Sequence, residues 1–232
     1  PRDTLSVMKA DGSALQRLVG DLNVERDPHA WGPGDREITY YDGGKDWDGN
    51  LWVIDVDDPQ APRKLSRGGG VFASPAWSPD RRQIAYSWSE DGRKMTIHVM
   101  DADGRNVTKI AKAEGFQPAW SRDGTEITYL GYSGQANDVY IVGARPGATP
   151  RNLTDAPYWK YTPVFLADGE WIAYGVSGDV HVISVDGRER HELGLRQGVP
   201  AVSQFDWHRP FRAVSAAGNL PLQWGSIKAA GN

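Results

Sequence analysis

Hydrophobic residues in this chain come in short runs, and the runs return on a fixed beat. Residues 38–41, 84–88, 127–130 and 171–175 are apolar stretches of strand length. Each follows a turn rich in Asp and Gly, namely Gly34-Asp35, Asp80-Arg81, Asp123-Gly124 and Asp168-Gly169. After a variable loop a further apolar stretch follows, at 51–56, 96–101, 139–142 and 180–185. A second turn (Asp103-Gly104, Asp186-Gly187) then leads to a short segment ending at Leu65, Ile110, Leu153 or Leu193. Short runs bounded by turn residues predict strands joined by hairpins. Asp-Gly suits such hairpins on the reading that both central residues take positive φ.

The beat is an internal repeat. His29-Ala30-Trp31-Gly32-Pro33, Pro75-Ala76-Trp77-Ser78-Pro79, Pro118-Ala119-Trp120-Ser121-Arg122 and Pro163-Val164-Phe165-Leu166-Ala167 superimpose, with their aromatics 46, 43 and 45 residues apart. Tyr40, Tyr86, Tyr129 and Tyr174 each trail the aromatic by nine positions, and Phe205-Asp206-Trp207-His208 opens a fifth copy. Four antiparallel strands per repeat of roughly 44 residues predict an all-β fold, a β-propeller of four-stranded blades.

Pro75-Ala76-Trp77-Ser78-Pro79-Asp80, Gln83-Ile84-Ala85-Tyr86 and Val99-Met100-Asp101-Ala102-Asp103-Gly104 resemble the TolB-like, WD-related propeller repeat. The resemblance covers nearly the whole chain and is specific for fold. It says less about function, because such repeats serve translocation proteins, receptor domains, peptidases and polysaccharide lyases alike. Arg81 stands where the repeat usually has a turn glycine, Gly34-Asp35 inverts the dipeptide, and Phe165 replaces Trp.

The repeat divides a single domain, 1–232, into a half-blade at 4–19, blades at about 28–66, 74–111, 117–154 and 162–194, and a half-blade at 203–218. The first residues, Thr4 to Gly12, align with the third strand and turn of a repeat, and 203–214 with a first and second strand. Half-blades at opposite ends would combine into one blade and remove the open edge of the ring. That arithmetic favours five blades; a six-bladed ring cut at both ends, usual for the TolB-like family, is the alternative. The chain begins at Pro1 rather than Met, as a processed or excised piece would, so no signal peptide is expected within it.

Composition narrows the function classes. A net charge of -4 leaves no basic footprint for nucleic acid. No apolar run is long enough for a membrane-spanning helix. Without Cys there are no disulfides or thiolate metal ligands. Ten Trp is roughly three times ordinary usage, well beyond what the repeat needs.

Candidate chemistry is weighed by recurrence, since a residue that returns at one blade position is structural. His98 and His181 share the position of Trp52 and Tyr140 and read as packing groups; His191 lies in a charged outer strand. Ser133 and Ser177 sit beside glycines in equivalent hairpins and lack the nucleophile-elbow spacing. Asn106-Val107-Thr108 and Asn152-Leu153-Thr154 match the glycosylation triplet, and their shared place before the fourth strand gives them a structural reading. One loop, 42–50, gathers Asp42, Asp46, Asp48 and Asn50, hard oxygen ligands of the kind Ca²⁺ takes. It is the candidate metal site, and no other cofactor is expected.

Aromatics that do not recur carry the functional reading. Loops joining second to third strands, and loops joining blades, share one face of a propeller. Here they hold Trp47, Trp88, Tyr132, Phe72, Phe116 and the run Tyr158-Trp159-Lys160-Tyr161, with Arg26, Asp27, Glu90, Glu114 and Arg196. Exposed aromatics beside charged groups suit recognition, because they bury much area at small entropy cost. Trp47, Trp88, Tyr132, Tyr158, Trp159, Arg26 and Asp27 are the candidate binding residues of a monomeric, non-enzymatic module that takes a protein or peptide. The family resemblance implies partners at the channel mouth, in the periplasm or outside the cell. The alternative is a carbohydrate-binding or carbohydrate-active propeller, for which Asp27, His29 and Arg26 are the clearest catalytic candidates. A plain repeat scaffold without a ligand is the third reading.

Overall fold

The computed structural model describes residues 3–22, 29–32, 34–43, 49–134 and 136–194. Among these every regular element is a strand. A two-stranded sheet comes first, β1 (Asp3–Val7) with β2 (Gln16–Leu22). A four-stranded antiparallel meander follows: β3 (His29–Trp31), β4 (Glu37–Asp42), β5 (Asn50–Asp55) and β6 (Arg63–Lys64). Next are β7 (Val71–Trp77), β8 (Gln83–Ser89), β9 (Thr96–Asp101) and β10 (Thr108–Trp120), then β11 (Glu126–Tyr132), β12 (Asn137–Gly143) and β13 (Arg151–Asn152). The last meander is β14 (Lys160–Phe165), β15 (Trp171–Val176), β16 (Asp179–Ser184) and β17 (Arg190–Glu192). One feature departs from the repeat arithmetic: the outer strand of the second meander and the inner strand of the third are a single strand. β10 pairs with β9 through Thr108, Lys109 and Glu114, and with β11 from Gly115 onward. The two meanders therefore hydrogen-bond into one seven-stranded sheet.

The repeated Tyr and its partner form a cross-strand ladder. Tyr40 faces Trp52, Tyr86 faces His98, Tyr129 faces Tyr140 and Tyr174 faces His181. The last three pairs stack with centroids 5.5–5.7 Å apart. His98 and His181 are therefore packing groups. Desolvation, with Lys109 nearby, pushes the His98 imidazole down to about 4, so it stacks as the neutral ring.

The turns after the repeated aromatic work differently from the expected hairpin. Gly124 donates to the Ser121 carbonyl, while Asp123 accepts from Ser121 Oγ and the Thr125 amide. Only the residue after Asp123 has positive φ, Gly124 at 73°, and Arg81 occupies the same place at 64°. Asp is present to accept these hydrogen bonds rather than to adopt positive φ. Both residues are positive only in the first meander, at Gly34 and Asp35.

Each blade seam is an apolar core shared by two meanders. Tyr41, Leu51, Val53 and Leu65 meet Phe72, Ile84, Tyr86 and Met100. Ile97, Val99 and Ile110 meet Trp120, Ile127 and Tyr129. Leu130, Val139 and Leu153 meet Phe165, Ile172 and Tyr174. The β1–β2 sheet packs on the first meander through Leu5, Leu18 and Leu22 against Ile38, Tyr40 and Ile54. Trp120 donates its indole N–H to the Ala76 carbonyl at 3.0 Å, which locks neighbouring inner strands together.

The inner strands share a kink. Ser74, Gln117 and Thr162 occupy one repeat position and all have positive φ, 46–54°. Register slips there in each strand. Such bulges re-aim the chain. Beyond them, Phe72, Phe116 and Tyr161 run up to the end of the blades where the loops gather. The Gln117 side chain also accepts the Thr162 amide at 2.9 Å, coupling two bulges across a seam.

Candidate functional site

At the seam between the third and fourth meanders, the β11–β12 loop meets the connection from β13 to β14. Tyr132 ends β11, and Trp159 precedes β14. Their rings sit edge to face, 6.4 Å apart at 83°, and Phe116 packs on Tyr132 at 5.4 Å. Tyr132 is 47 % exposed, Trp159 49 %, Tyr158 59 % and Tyr161 44 %. Half-exposed rings that support one another are held in place while still offering surface, which suits contact with a partner.

What holds this loop is the residue between the aromatics. Lys160 is 2 % exposed, and its ammonium donates to Asp138 Oδ1 at 2.8 Å, to the Asn137 carbonyl at 2.8 Å and to the Ala156 carbonyl at 2.6 Å. All three N–H donors of the lysine are thus used. Asn137 clasps the Lys160 backbone from both sides, accepting its N–H at 2.7 Å and donating to its carbonyl at 3.0 Å. Asp138 also accepts from Thr154, Ser133 and Asn152. Burial works against its charge, but the hydrogen bonds from Lys160, Ser133 and Thr154 hold its carboxyl below the usual carboxylate range.

Asp138 has counterparts. Asn50, Thr96 and Asp179 occupy its register position in the other meanders. Asn50 Oδ1 accepts from Ser66 Oγ at 2.8 Å, just as Asp138 accepts from Thr154. Sequence reasoning passed over Lys160 and Asp138. The signal available was a polar residue recurring at the head of an apolar third strand, answered by a hydroxyl one place after the fourth-strand leucine.

The remaining candidates separate. Trp88 belongs to the second meander; it is half-buried, stands edge-on to His98 at 5.5 Å and donates to the Gly69 carbonyl at 3.4 Å. Phe72 is buried in the seam between the first two meanders. Asp42 and Asn50 face each other across β4 and β5. Asp46, Asp48, Trp47, Arg26, Asp27 and Arg196 lie outside the described residues. His29 is exposed at the start of β3. Among the described residues no group of three or more His, Cys, Asp or Glu is placed to hold a metal ion, and no helix is long and apolar enough to cross a membrane. In the two glycosylation triplets the asparagine side chains bond locally: Asn106 Nδ2 donates to Asp101 Oδ2 at 2.7 Å, and Asn152 Oδ1 accepts the Thr154 amide at 3.0 Å.

Meanders of antiparallel strands packed seam to seam, with their inner strands side by side, define an all-β propeller. The family of the TolB beta propeller domain matches residues 2–197, and the chain belongs to that family. The Tol-Pal system protein TolB of Francisella tularensis is 32 % identical over 111 residues, which span 44 % of this chain and 25 % of that protein. The match therefore covers about a quarter of the length of these curated relatives. TolB from Acinetobacter baumannii superimposes with a TM-score of 0.66 at 18 % identity, covering 82 % of this chain and 48 % of that one. A putative TolB from Agrobacterium tumefaciens gives 0.67 at 16 % identity, over 82 % and 73 %. A puromycin hydrolase and an oligogalacturonate lyase share the fold as well, so architecture alone does not decide between binding and catalysis.

Proposed function

We propose that this chain is a non-enzymatic recognition module that binds a protein or peptide partner through the loop face holding Tyr132, Tyr158 and Trp159. Trp88, Trp47, Arg26 and Asp27 are the flanking contacts in this reading. The observation that carries it is the pair of half-exposed, perpendicular rings standing on a fully satisfied buried Lys160–Asp138 network. A rigid aromatic anchor loses little entropy on binding. Similarity to a Tol-Pal system protein supports a partner from a system of that kind, outside the cytoplasm.

The test is surface plasmon resonance of the chain against the components of a Tol-Pal system, with Tyr132→Ala and Trp159→Ala beside the parent. Binding by the parent that falls at least tenfold in each variant supports the reading. Parent binding that both variants retain removes this face from it. A glycan array run in parallel gives the other outcome: sugar binding lost in the same variants would assign the face to carbohydrate.

A further inference from the structure

The aromatic corner has a carboxylate in line with it. β10 and β11 pair Gly115 with Gly131 and Phe116 with Leu130; one residue further along the two strands lie Glu114, which pairs with Thr96 of β9 on its other side, and Tyr132. Residues opposite one another in an antiparallel pair project to the same face, as do residues two apart on one strand. Glu114, Phe116 and Tyr132 therefore share the face on which Trp159 completes the corner. Glu114 already holds a cation: Lys94 Nζ lies 3.2 Å from its Oε1, with the lysine side chain 80 % exposed and the glutamate 36 % exposed. An ion pair this open contributes little and is readily exchanged.

We infer that this corner is a seat for a cationic side chain, an arginine of the partner, with its guanidinium on the Tyr132 and Trp159 rings and its charge met by Glu114 in place of Lys94. The inference rests on the recognition face proposed above and names the chemistry it selects. Ring faces attract cations, and Arg more often than Lys. A guanidinium combines flat stacking with a forked pair of hydrogen bonds to a carboxylate, which an ammonium lacks. Rings at 83° make a slot rather than the flat platform on which a sugar ring would lie. The adjacent carboxylate fixes the sign of what enters.

The probe is a capped tripeptide, Ac-Gly-Arg-Gly-NH₂, titrated into the ¹⁵N-labelled full chain in the tens-of-millimolar range at matched ionic strength. Its control is the citrulline peptide, which has nearly the same shape and no charge. Trp159→Phe assigns the Trp159 indole resonance. The arginine peptide should shift that resonance and bind about two- to fivefold more tightly than the citrulline peptide, the scale of an exposed cation–π contact. Glu114→Gln should weaken the arginine peptide alone, and Lys94→Ala should strengthen it by freeing the carboxylate. Equal affinity for the two peptides, an unmoved Trp159 signal, or indifference to Glu114→Gln overturns the inference. Failure here together with retained, Trp159-dependent partner binding discards the cation seat and leaves the recognition face standing. Loss of both discards the face.

Discussion

Replacing Lys160 by Met is the sharpest perturbation of the site's foundation. The substitution nearly keeps the side chain's length and apolar stem but deletes an ammonium that makes three hydrogen bonds of 2.6–2.8 Å. It leaves the Asp138 carboxylate, 2 % exposed, without its counter-charge. Removing one member of a buried ion pair costs about 3–5 kcal/mol, because the orphaned charge stays desolvated. Against a total stability of about 5–15 kcal/mol, that is a large fraction. Urea denaturation followed by far-ultraviolet circular dichroism reads it directly. Lys160→Met should lower the midpoint sharply, as should Asp138→Asn. The double variant should cost less than the sum of the two, with a coupling of about 2 kcal/mol or more. A loss under about 1 kcal/mol for Lys160→Met, or strict additivity, would refute the network. Acid provides a second readout. The folded protein holds the Asp138 carboxyl below its ordinary value, so the network's stability is complete above the unfolded value near 3.9 and drains away as pH falls through the lower folded value.

Other outcomes follow from the same geometry. Lowering pH from about 6.5 toward 4 should cost at most about 3 kcal/mol through His98, which stays neutral when folded and protonates when unfolded; His98→Phe should flatten that part of the stability profile. Gly104→Ala places a Cβ 2.2 Å from the Leu65 carbonyl at φ +84°, whereas Gly12→Ala, at φ +82°, meets nothing within 4 Å. Thermal melts should show about 1 kcal/mol for Gly12→Ala and at least twice that for Gly104→Ala. Deleting residues 203–232 should lower the melting temperature if 203–218 complete the blade begun by β1 and β2; an unchanged melt would exclude that closure. Calcium titrated to millimolar concentration should give weak calorimetric heat, lost in Asp42→Asn, if the loop 42–50 binds it, and no heat would exclude the site.

The propeller was legible because its repeat writes packing into sequence. Trp120 bridges two inner strands through the Ala76 carbonyl, and the nine-residue step to Tyr129 reflects a fixed turn length plus strand pairing. Which aromatics are exposed was half legible. Non-recurring aromatics pointed to Tyr132, Tyr158 and Trp159, yet Phe72 carried the same signal and lies in a seam, because it stands two residues before its bulge rather than one, so strand alternation turns it to the other face from Phe116 and Tyr161. Trp88 is half-buried for a comparable reason, its indole bonded to the Gly69 carbonyl. Lys160 was invisible as an anchor, since a lysine flanked by exposed aromatics reads as solvated. Its burial depends on Asn137 and Asp138, which the fold brings to it from 22 to 23 residues away. The bulges at Ser74, Gln117 and Thr162 left no trace either, for none of the three is a glycine.

Oxidative footprinting of the full chain, alone and with a bound Tol-Pal component, tests the central claim most directly. The rings of Tyr132 and Trp159 should oxidise readily in the free chain, as their near-half exposure requires, and should be protected together on binding, while Tyr129 and Tyr174, buried in the seams, stay unreactive throughout. Partner binding that leaves Tyr132 and Trp159 as reactive as before would contradict it.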